Sequence, residues 1–300
     1  MTKHVVWTQW ADLKGPEGFE MLNPKNAPLD SEKVSEITFY VPTYMGGRGA
    51  LLPILEMPNL KHLQLPNAGF DDAIEFLKPG VTLCNARGVH DMSTAELALG
   101  LTISSLRGFS HFFKMQQQSF WDHKRMHSLS GKKVGLVGYG SIGKKFAQMV
   151  EPFEVELTAF NRSGGEGAKK ISELDSHLPE FDVIVLILPA NNESVKMFDQ
   201  RRLSLMKDGA LLVNVARGVI IDTEALVKEL DEKRIFAALD VTDPEPLPAS
   251  HALWKCENAF IVPHVGGNST AFEPRIRKLV KNQLELLAQG KEMENIVATG

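Results

Sequence analysis

The sequence predicts an α/β protein built from two doubly wound parallel sheets, one in each of two domains. Apolar strand-like runs alternate with helical segments along most of the chain, which is typical of parallel sheets covered on both faces. The chain has 300 residues, enough for about two domains of roughly 100–200 residues each. A glycine-rich turn between a strand and a helix starts at Gly138, so a domain-sized stretch precedes it.

Composition and charge limit the classes of function. Hydrophobic residues make up 43% of the chain and charged residues 23%, as in an ordinary soluble protein. The net charge of −4 gives no reason to expect nucleic acid or an anionic membrane as a partner. Cys84 and Cys256 are too few for a disulfide framework, and no Cys/His cluster has zinc spacing, so we expect no metal. The N-terminus lacks a signal-peptide core and the longest apolar run, Val183–Leu188, is too short for a membrane span, so we expect a cytoplasmic protein.

The first predicted domain covers residues 1–92. Helical segments are predicted at 49–55 and 71–77, between strand-like runs. Four such runs predict the sheet: 4–10, 37–41, 60–65 and 81–84.

Two helical segments connect this domain to the glycine-rich turn. The pattern Ser93-Thr94-Ala95-Glu96 is a capping-box signature and predicts that a helix follows, from Leu97 to about Leu106. The next helical stretch, 109–120, carries the apolar residues Phe112, Phe113 and Met115. They are candidates for the interface of a homodimer, although ordinary core packing explains them equally well.

The second predicted domain, residues 93–270, repeats strand and helix. This pattern is typical of a doubly wound Rossmann nucleotide-binding domain. The chain then forms one long amphipathic helix over residues 271–289. The six predicted strands are Lys133–Val137, Glu156–Phe160, Val183–Leu188, Ala210–Asn214, Phe236–Leu239 and Phe260–Val262.

The motif Gly138-Tyr139-Gly140-Ser141-Ile142-Gly143 follows the first of these strands and opens a helix. In that context the spacing G-x-G-x-x-G predicts a dinucleotide site, whose phosphates lie at the helix N-terminus. Asn161, Arg162 and Ser163 follow the second strand, where NAD enzymes usually place a carboxylate for the ribose 2′-hydroxyl. Because Arg162 and Ser163 suit a 2′-phosphate instead, NADPH is the preferred cofactor and NAD a possible one. The alternative is that Arg162 stacks on the adenine of either cofactor.

Polar side chains follow the later strands at their carboxyl ends. Ligands bind at this edge in doubly wound sheets. Arginine binds a carboxylate bidentately, and a histidine beside a carboxylate acts as a general acid or base. With a dinucleotide as hydride donor, the set predicts reduction of a 2-oxo acid. Each residue alone could be an ordinary ion pair or loop residue, but their joint placement favours chemistry. The set is Arg217, Asp240, Asp243, Glu245 and His264.

Nearly the whole chain resembles the D-isomer-specific 2-hydroxyacid dehydrogenase family. The most specific segments are the glycine motif, 206–210 leading into Asn214-Val215-Ala216-Arg217-Gly218, 238–241 with Glu245-Pro246, and Pro263-His264-Val265-Gly266-Gly267. The resemblance implies a flavodoxin-like substrate domain that is discontinuous in sequence, with the last helix, within residues 271–300, returning to residues 1–92. The Rossmann domain would lie between them in the sequence.

The resemblance also implies roles for single residues. Arg217 would bind the carboxylate and carbonyl of the substrate, His264 would protonate the nascent alkoxide, and Glu245 would hold His264. Asp240 would bind the nicotinamide carboxamide. The loop Pro66–Asp71, through Asn67, Ala68 and Gly69, would hold the substrate carboxylate with backbone N–H groups. Further cofactor contacts would come from Leu188, Pro189, Val215, Ala216, Gly266 and Gly267.

The motifs leave two other functions open. A nucleotide-sensing corepressor shares this fold and can retain the same three residues. A dehydrogenase for a substrate without a carboxylate, such as phosphite, is the other. The sequence does not identify which 2-hydroxy acid is the substrate.

Overall fold

The computed structural model describes residues 4–300, which form two compact units with one sheet each. The first unit contains the described residues up to His90 together with Thr270–Gly300, and the second contains Asp91–Ser269. Residues 1–3, the start of the first predicted domain, lie outside the described residues. The predicted α/β class with two mainly parallel sheets is confirmed.

The sheet of the first unit has five parallel strands and one antiparallel edge strand. The strands are β1 (His4–Trp7), β2 (Phe19–Leu22), β3 (Phe39–Tyr40), β4 (His62–Gln64), β5 (Thr82–Cys84) and β13 (Ile296–Thr299). Their order is β2-β1-β3-β4-β5-β13, the flavodoxin-like order with β13 added antiparallel to β5.

The structure corrects several predicted elements of this unit. The edge strands β2 and β13 were not predicted from the sequence, because each has only four residues and lacks a buried apolar pattern. The predicted helices at 49–55 and 71–77 are short 3-10 segments. Pro53 lies in the first turn of one of them, where it suits a helix start, but neither run is long enough to build an α-helix. These segments are Gly47–Ala50, Leu52–Glu56 and Asp71–Phe76.

Side chains from the two faces of this sheet enter different apolar clusters. Val5 and Trp7 of β1 point to one cluster, and Val6 between them points to the other, as the two-residue period of a strand requires. Helix α7 (Phe272–Ala288) covers the face of Val6 with a buried stripe that includes Ile276 and Val280. The returning helix is therefore part of the first unit's core.

The sheet of the second unit has seven strands, all parallel. The strand Lys169–Lys170 was not predicted, because two exposed lysines carry no strand pattern. The strands are β6 (Lys133–Val137), β7 (Glu156–Asn161), β8 (Lys169–Lys170), β9 (Val183–Leu186), β10 (Leu211–Asn214), β11 (Phe236–Leu239) and β12 (Ala259–Ile261). The helices are α1 (Asp91–Leu106), α2 (Phe109–Gln117), α3 (Ser141–Val150), α4 (Leu174–His177), α5 (Gln200–Leu205) and α6 (Thr223–Asp231).

The strand order of this sheet is β8-β7-β6-β9-β10-β11-β12. Successive strands are added on one side of β6 and then on the other, so the strand order reverses between β6 and β9. This is the switch point at which doubly wound sheets bind their ligands. Successive residues of β9 enter different clusters, Val183 and Val185 on one face and Ile184 and Leu186 on the other. Burial on both faces explains why this strand is apolar throughout.

The predicted start of α1, at Leu97, is six residues too late. The helix begins at Asp91, and Ser93 lies within its first turn rather than at its cap. The hydroxyl of Ser93 instead forms a hydrogen bond with that of Ser269, at 2.7 Å. The Ser93 hydroxyl thus bonds a side chain remote in sequence, whereas the capping-box pattern predicts a bond to the helix backbone.

In the part of the chain from 4 to 300, no helix is both long enough and apolar enough to cross a lipid bilayer.

Candidate active site

The glycine motif forms a turn at the carboxyl end of β6, at the switch point. Gly138 has a φ of 107°, and a Cβ there would lie 2.0 Å from the carbonyl oxygen of Ile187, so only glycine fits. A Cβ on Gly140 would meet nothing within 4 Å, which leaves space beside its backbone. Among residues 4–300 no side chain caps helix α3, so its first N–H groups remain available to an anion. These features fit the pyrophosphate of a dinucleotide.

The end of β7 presents polar groups but no carboxylate of its own. Arg162 and Ser163 are exposed, and the side-chain oxygen of Asn161 accepts a hydrogen bond from the N–H of Gly164 at 2.6 Å. The guanidinium of Arg162 donates to the carboxylate of Glu193 at 2.7 Å, with 80% and 61% of the two side chains exposed. The loop after β9 therefore places a carboxylate beside Arg162.

Arg217 lies in the loop after β10. Asn214 is fully buried and orders this loop, since its side-chain amide donates to the carbonyl of Arg217 at 2.9 Å. Its side-chain oxygen accepts from the N–H of Ala216 at 3.0 Å. The loop also approaches the one after β11 closely, because a Cβ on Gly218 would lie 1.9 Å from the carbonyl oxygen of Thr242. The backbone around Arg217 is thereby fixed.

His264 and Glu245 form a hydrogen-bonded pair. Nδ1 of the histidine contacts a carboxylate oxygen of Glu245, and 38% and 40% of the two side chains are exposed. The pair is thus partly accessible. Because Nδ1 is engaged by Glu245, Nε2 is the ring nitrogen that can exchange a proton with a bound molecule.

Asp240 organises the turn that carries His264. The carbonyl of Asp240 accepts the N–H of His264 at 2.7 Å. Its two carboxylate oxygens accept the N–H groups of Val265, at 2.6 Å, and Gly266, at 3.0 Å. The side chain is 3% exposed, and burial raises the pKa of its carboxyl despite these N–H donors.

Electrostatics couple the three predicted catalytic residues. The hydrogen bond to Glu245 raises the pKa of His264, with burial and the charge of Arg217 opposing the rise. Burial by itself would raise the pKa of Glu245, but the hydrogen bond and charge of His264, helped by Arg217, lower it. The arrangement therefore favours an imidazolium beside a carboxylate, which is a proton donor.

In the first unit, the loop Asn67-Ala68-Gly69 is held by its carbonyl groups. The ring of His90 contacts the carbonyl of Pro66 through Nε2 at 2.8 Å. The carbonyl of Asn67 accepts the N–H of Ala86 at 2.9 Å. The carbonyl of Ala68 accepts the side-chain amide of Asn85 at 2.7 Å. Within residues 4–300 the N–H groups of this loop have no acceptor, so they are available to an anion.

Two supporting residues of this loop were not predicted from the sequence. His90 is 6% exposed, and its ring stacks on Phe272 with centroids 5.3 Å apart. Asn85 is 5% exposed. Only their position after β5, the strand beside β4, could have suggested them. The remaining predicted cofactor residues Leu188, Pro189, Val215, Ala216 and Gly267 lie at the carboxyl ends of β9, β10 and β12.

The chain is similar to known proteins. Residues 99–266, over half of the chain, match the model for the NAD binding domain of D-isomer specific 2-hydroxyacid dehydrogenases. A glyoxylate reductase from Thermofilum pendens is 32% identical over 249 residues, which cover 78% of this chain and 74% of that protein.

Solved structures show the same fold. A D-isomer specific 2-hydroxyacid dehydrogenase family protein from Aeromonas salmonicida has a TM-score of 0.87 at 24% identity, covering 99% of both chains. An NADPH-dependent glyoxylate/hydroxypyruvate reductase from Sinorhizobium meliloti, in complex with NADP and malonate, has a TM-score of 0.80 at 23% identity, covering 99% of this chain and 97% of that chain. The chain therefore belongs to the D-isomer specific 2-hydroxyacid dehydrogenase family, as an NAD(P)-dependent enzyme.

Proposed function

We propose that this enzyme reduces a small 2-oxo acid such as glyoxylate to its D-2-hydroxy acid, with NADPH as the favoured hydride donor. The pair of His264 and Glu245 carries the proposal, because it is a built proton donor on the edge of the sheet that holds the glycine motif. Relatives named glyoxylate reductase support the substrate class.

Arg217 binds and polarises the substrate in this mechanism. Its guanidinium fork accommodates a carboxylate bidentately, and the same positive charge withdraws electron density from the neighbouring ketone. The ordered backbone around it restricts where the fork can point. The available N–H groups of Asn67, Ala68 and Gly69 are proposed as further donors to the substrate carboxylate.

His264 supplies the proton. When bound, a reduced nicotinamide would supply the hydride for the carbonyl carbon, and the carbonyl oxygen would then carry the negative charge. Nε2 of His264 gives its proton to that oxygen, which yields the hydroxyl group. Glu245 stabilises the imidazolium before the transfer and keeps Nδ1 engaged. In the oxidative direction the neutral imidazole takes the proton back.

The residues present fit a dinucleotide. The turn at Gly138, the open space at Gly140 and the uncapped helix α3 would hold the pyrophosphate. Arg162 and Ser163 would contact a 2′-phosphate, and the pairing of Arg162 with Glu193 is compatible with that role because both side chains are exposed and can reorient. Asp240 would contact the nicotinamide carboxamide, as the family resemblance implies.

We also propose a homodimer formed through α2 and the segment that follows it. None of the nine residues of α2 is buried. Large apolar side chains are exposed there: Phe109 by 55%, Phe113 by 61%, Phe120 by 60% and Trp121 by 92%. A concentrated apolar surface of this kind is typical of an interface.

A substrate panel tests the function. Purified protein is mixed with glyoxylate, hydroxypyruvate, pyruvate or phosphite, each with the matching form of NADP or NAD, and the absorbance of the reduced nicotinamide is followed. We expect turnover with a 2-oxo acid and higher kcat/KM with NADPH than with NADH. Nucleotide binding without turnover of any substrate would favour the corepressor, and turnover of phosphite alone would favour the non-carboxylate dehydrogenase.

A further inference from the structure

The first unit has a cavity of about 600 Å³ beside helix α7, lined by no residue assigned to the proposed active site. Four cationic side chains line it: Arg87, Arg275, Lys278 and Lys281. Two carboxylates, those of Glu285 and Glu294, lie in the same wall. The volume is in the range of small-molecule sites, and the lining has an excess of positive charge.

The helix contributes one continuous stripe to the cavity. Arg275, Lys278, Asn282 and Glu285 follow one another at every third or fourth residue, the spacing that places side chains on one face of an α-helix. The opposite stripe of α7, which includes Ile276, is buried in the core of the unit. The helix therefore cannot rotate, and the polar stripe that lines the cavity keeps its position.

The other walls are fixed to this helix and to each other by hydrogen bonds. The buried side chain of Gln283 donates to the carbonyl of Glu294 at 2.7 Å and accepts its N–H at 2.8 Å. The side-chain amide of Asn295 donates to the carbonyl of Arg87 at 3.1 Å. The cavity is thus pre-formed, which lowers the entropy cost of binding.

Arg275 differs from the arginine two residues later. Arg277 pairs with Glu273 at 3.0 Å and with Asp12. Nη1 of Arg275, by contrast, is buried and has no hydrogen-bond partner among residues 4–300. A buried unsatisfied donor is costly, and more so when it is charged. A small rotation of the Arg275 side chain would bring Nη1 to an anion in the cavity and give it a hydrogen-bond acceptor.

We propose that this cavity binds a small organic anion with at least two negative charges. The four cations supply charge-assisted donors, and Asn282 adds a neutral amide. Leu279 and the 4%-exposed Val89 form an apolar wall for a carbon skeleton. A carboxylate or a phosphate group satisfies the same donors, so the shared chemistry is that of a dianion or trianion.

Isothermal titration calorimetry tests the site with two probes, citrate and inorganic phosphate, on the full chain at low ionic strength. Wild type is expected to bind citrate at one site with a Kd below about 1 mM, and more weakly in high salt. Arg275→Gln should weaken citrate binding roughly tenfold. Lys278→Gln, at an exposed residue where the fold should tolerate the change, should weaken it by a similar factor. Binding of phosphate at the same site would show that a phosphate group suffices, and binding of citrate alone would identify a carboxylate ligand.

Two control variants locate the site. Arg277→Gln changes a paired arginine on the same helix outside the cavity, and Arg217→Lys alters the proposed substrate site. Both should bind citrate as wild type does. The proposal is overturned if wild type does not bind citrate, if Lys278→Gln and Arg275→Gln bind it unchanged, or if Arg217→Lys alone abolishes binding. None of these results depends on whether the enzyme turns over a 2-oxo acid.

Discussion

Nδ1 of His264 is hydrogen bonded to the carboxylate of Glu245, although His264 has a φ of 51°, in the left-handed region that favours glycine. Such a conformation costs about 1–3 kcal/mol and persists only where the surroundings enforce it. Here Asp240 accepts three consecutive backbone N–H groups, from His264, Val265 and Gly266. The strained turn and its buried anchor place the imidazole against Glu245.

Arg217→Lys keeps the positive charge but removes the bidentate fork. We expect a loss of ~2–4 kcal/mol of transition-state stabilisation, measured as kcat/KM for 2-oxo acid reduction, with cofactor binding unchanged. Arg201→Lys, at an exposed arginine paired with Asp175, serves as the matched control. Near-wild-type turnover in Arg217→Lys would remove Arg217 from the site.

Arg162→Ala should weaken NADPH binding selectively, because it removes the proposed charge-assisted contact to the 2′-phosphate. Glu193→Gln should have the opposite effect, since it releases Arg162 from a competing carboxylate. Fluorescence titration of both nucleotides measures the ratio of the two Kd values, with Arg201→Ala as the control. Equal affinity of wild type for NADH and NADPH would show that this loop does not select the cofactor.

Phe113→Asp should dissociate the proposed dimer, because a carboxylate would be buried in an apolar interface. Phe113 is 61% exposed within the chain, so the folded subunit should tolerate the change. Phe236→Asp, at another exposed phenylalanine, is the control and should leave the dimer intact. Sedimentation velocity at micromolar concentration reads out both variants. A monomeric wild type would refute the proposed interface.

His62 should make the first unit sensitive to acid. Burial, with the charges of His4 and Lys61, lowers the pKa of His62 to about 4 from an ordinary value of 6.5. Between these values the unfolded chain takes up a proton that the folded chain does not, so stability should fall as pH falls from 6.5 towards 4. Denaturant unfolding at pH 7.5 and pH 5 measures the effect.

His62→Phe should reduce that loss of stability, because the ring then packs near Phe39 without a proton to bind. His123→Phe, at an exposed histidine, should keep the wild-type pH dependence. Identical pH dependence in wild type and His62→Phe would mean that the buried histidine does not control acid stability.

Sequence patterns were sufficient to predict the elements whose structure is determined by residues adjacent in the sequence. Only glycine fits the turn at Gly138, so the spacing of the glycine motif was enough to predict that turn. The apolar strand β9 is buried on both faces, so its composition alone identifies it. Arg217, Glu245 and His264 could be selected because each follows a predicted strand, and the structure places Glu245 against His264.

Other features depend on contacts between distant residues. The pairing of Arg162 with Glu193 joins the loops after β7 and β9, and no local pattern indicates it. His90 was not predicted, because its role depends on the carbonyl of Pro66 in a neighbouring loop. Ser93 was misassigned as a helix cap, since its true partner, Ser269, is remote in the sequence.

The pH dependence of kcat/KM for 2-oxo acid reduction in wild type and Glu245→Gln tests the central claim. The profiles are measured under conditions in which a deuterated reduced nicotinamide gives a primary isotope effect. Such an effect shows that hydride transfer limits the rate. In the proposed mechanism reduction requires protonated His264, and Glu245 raises the pKa of that histidine. The rate should therefore fall as pH rises through this pKa, and the fall should occur at lower pH in Glu245→Gln.

Glu180→Gln, which removes a carboxylate 3.9 Å from His177, is the control and should keep the wild-type profile. A descending limb displaced to lower pH in Glu245→Gln alone is the result that the mechanism predicts. Coincident profiles for wild type and Glu245→Gln would contradict it, because Glu245 would then not be coupled to the proton donor.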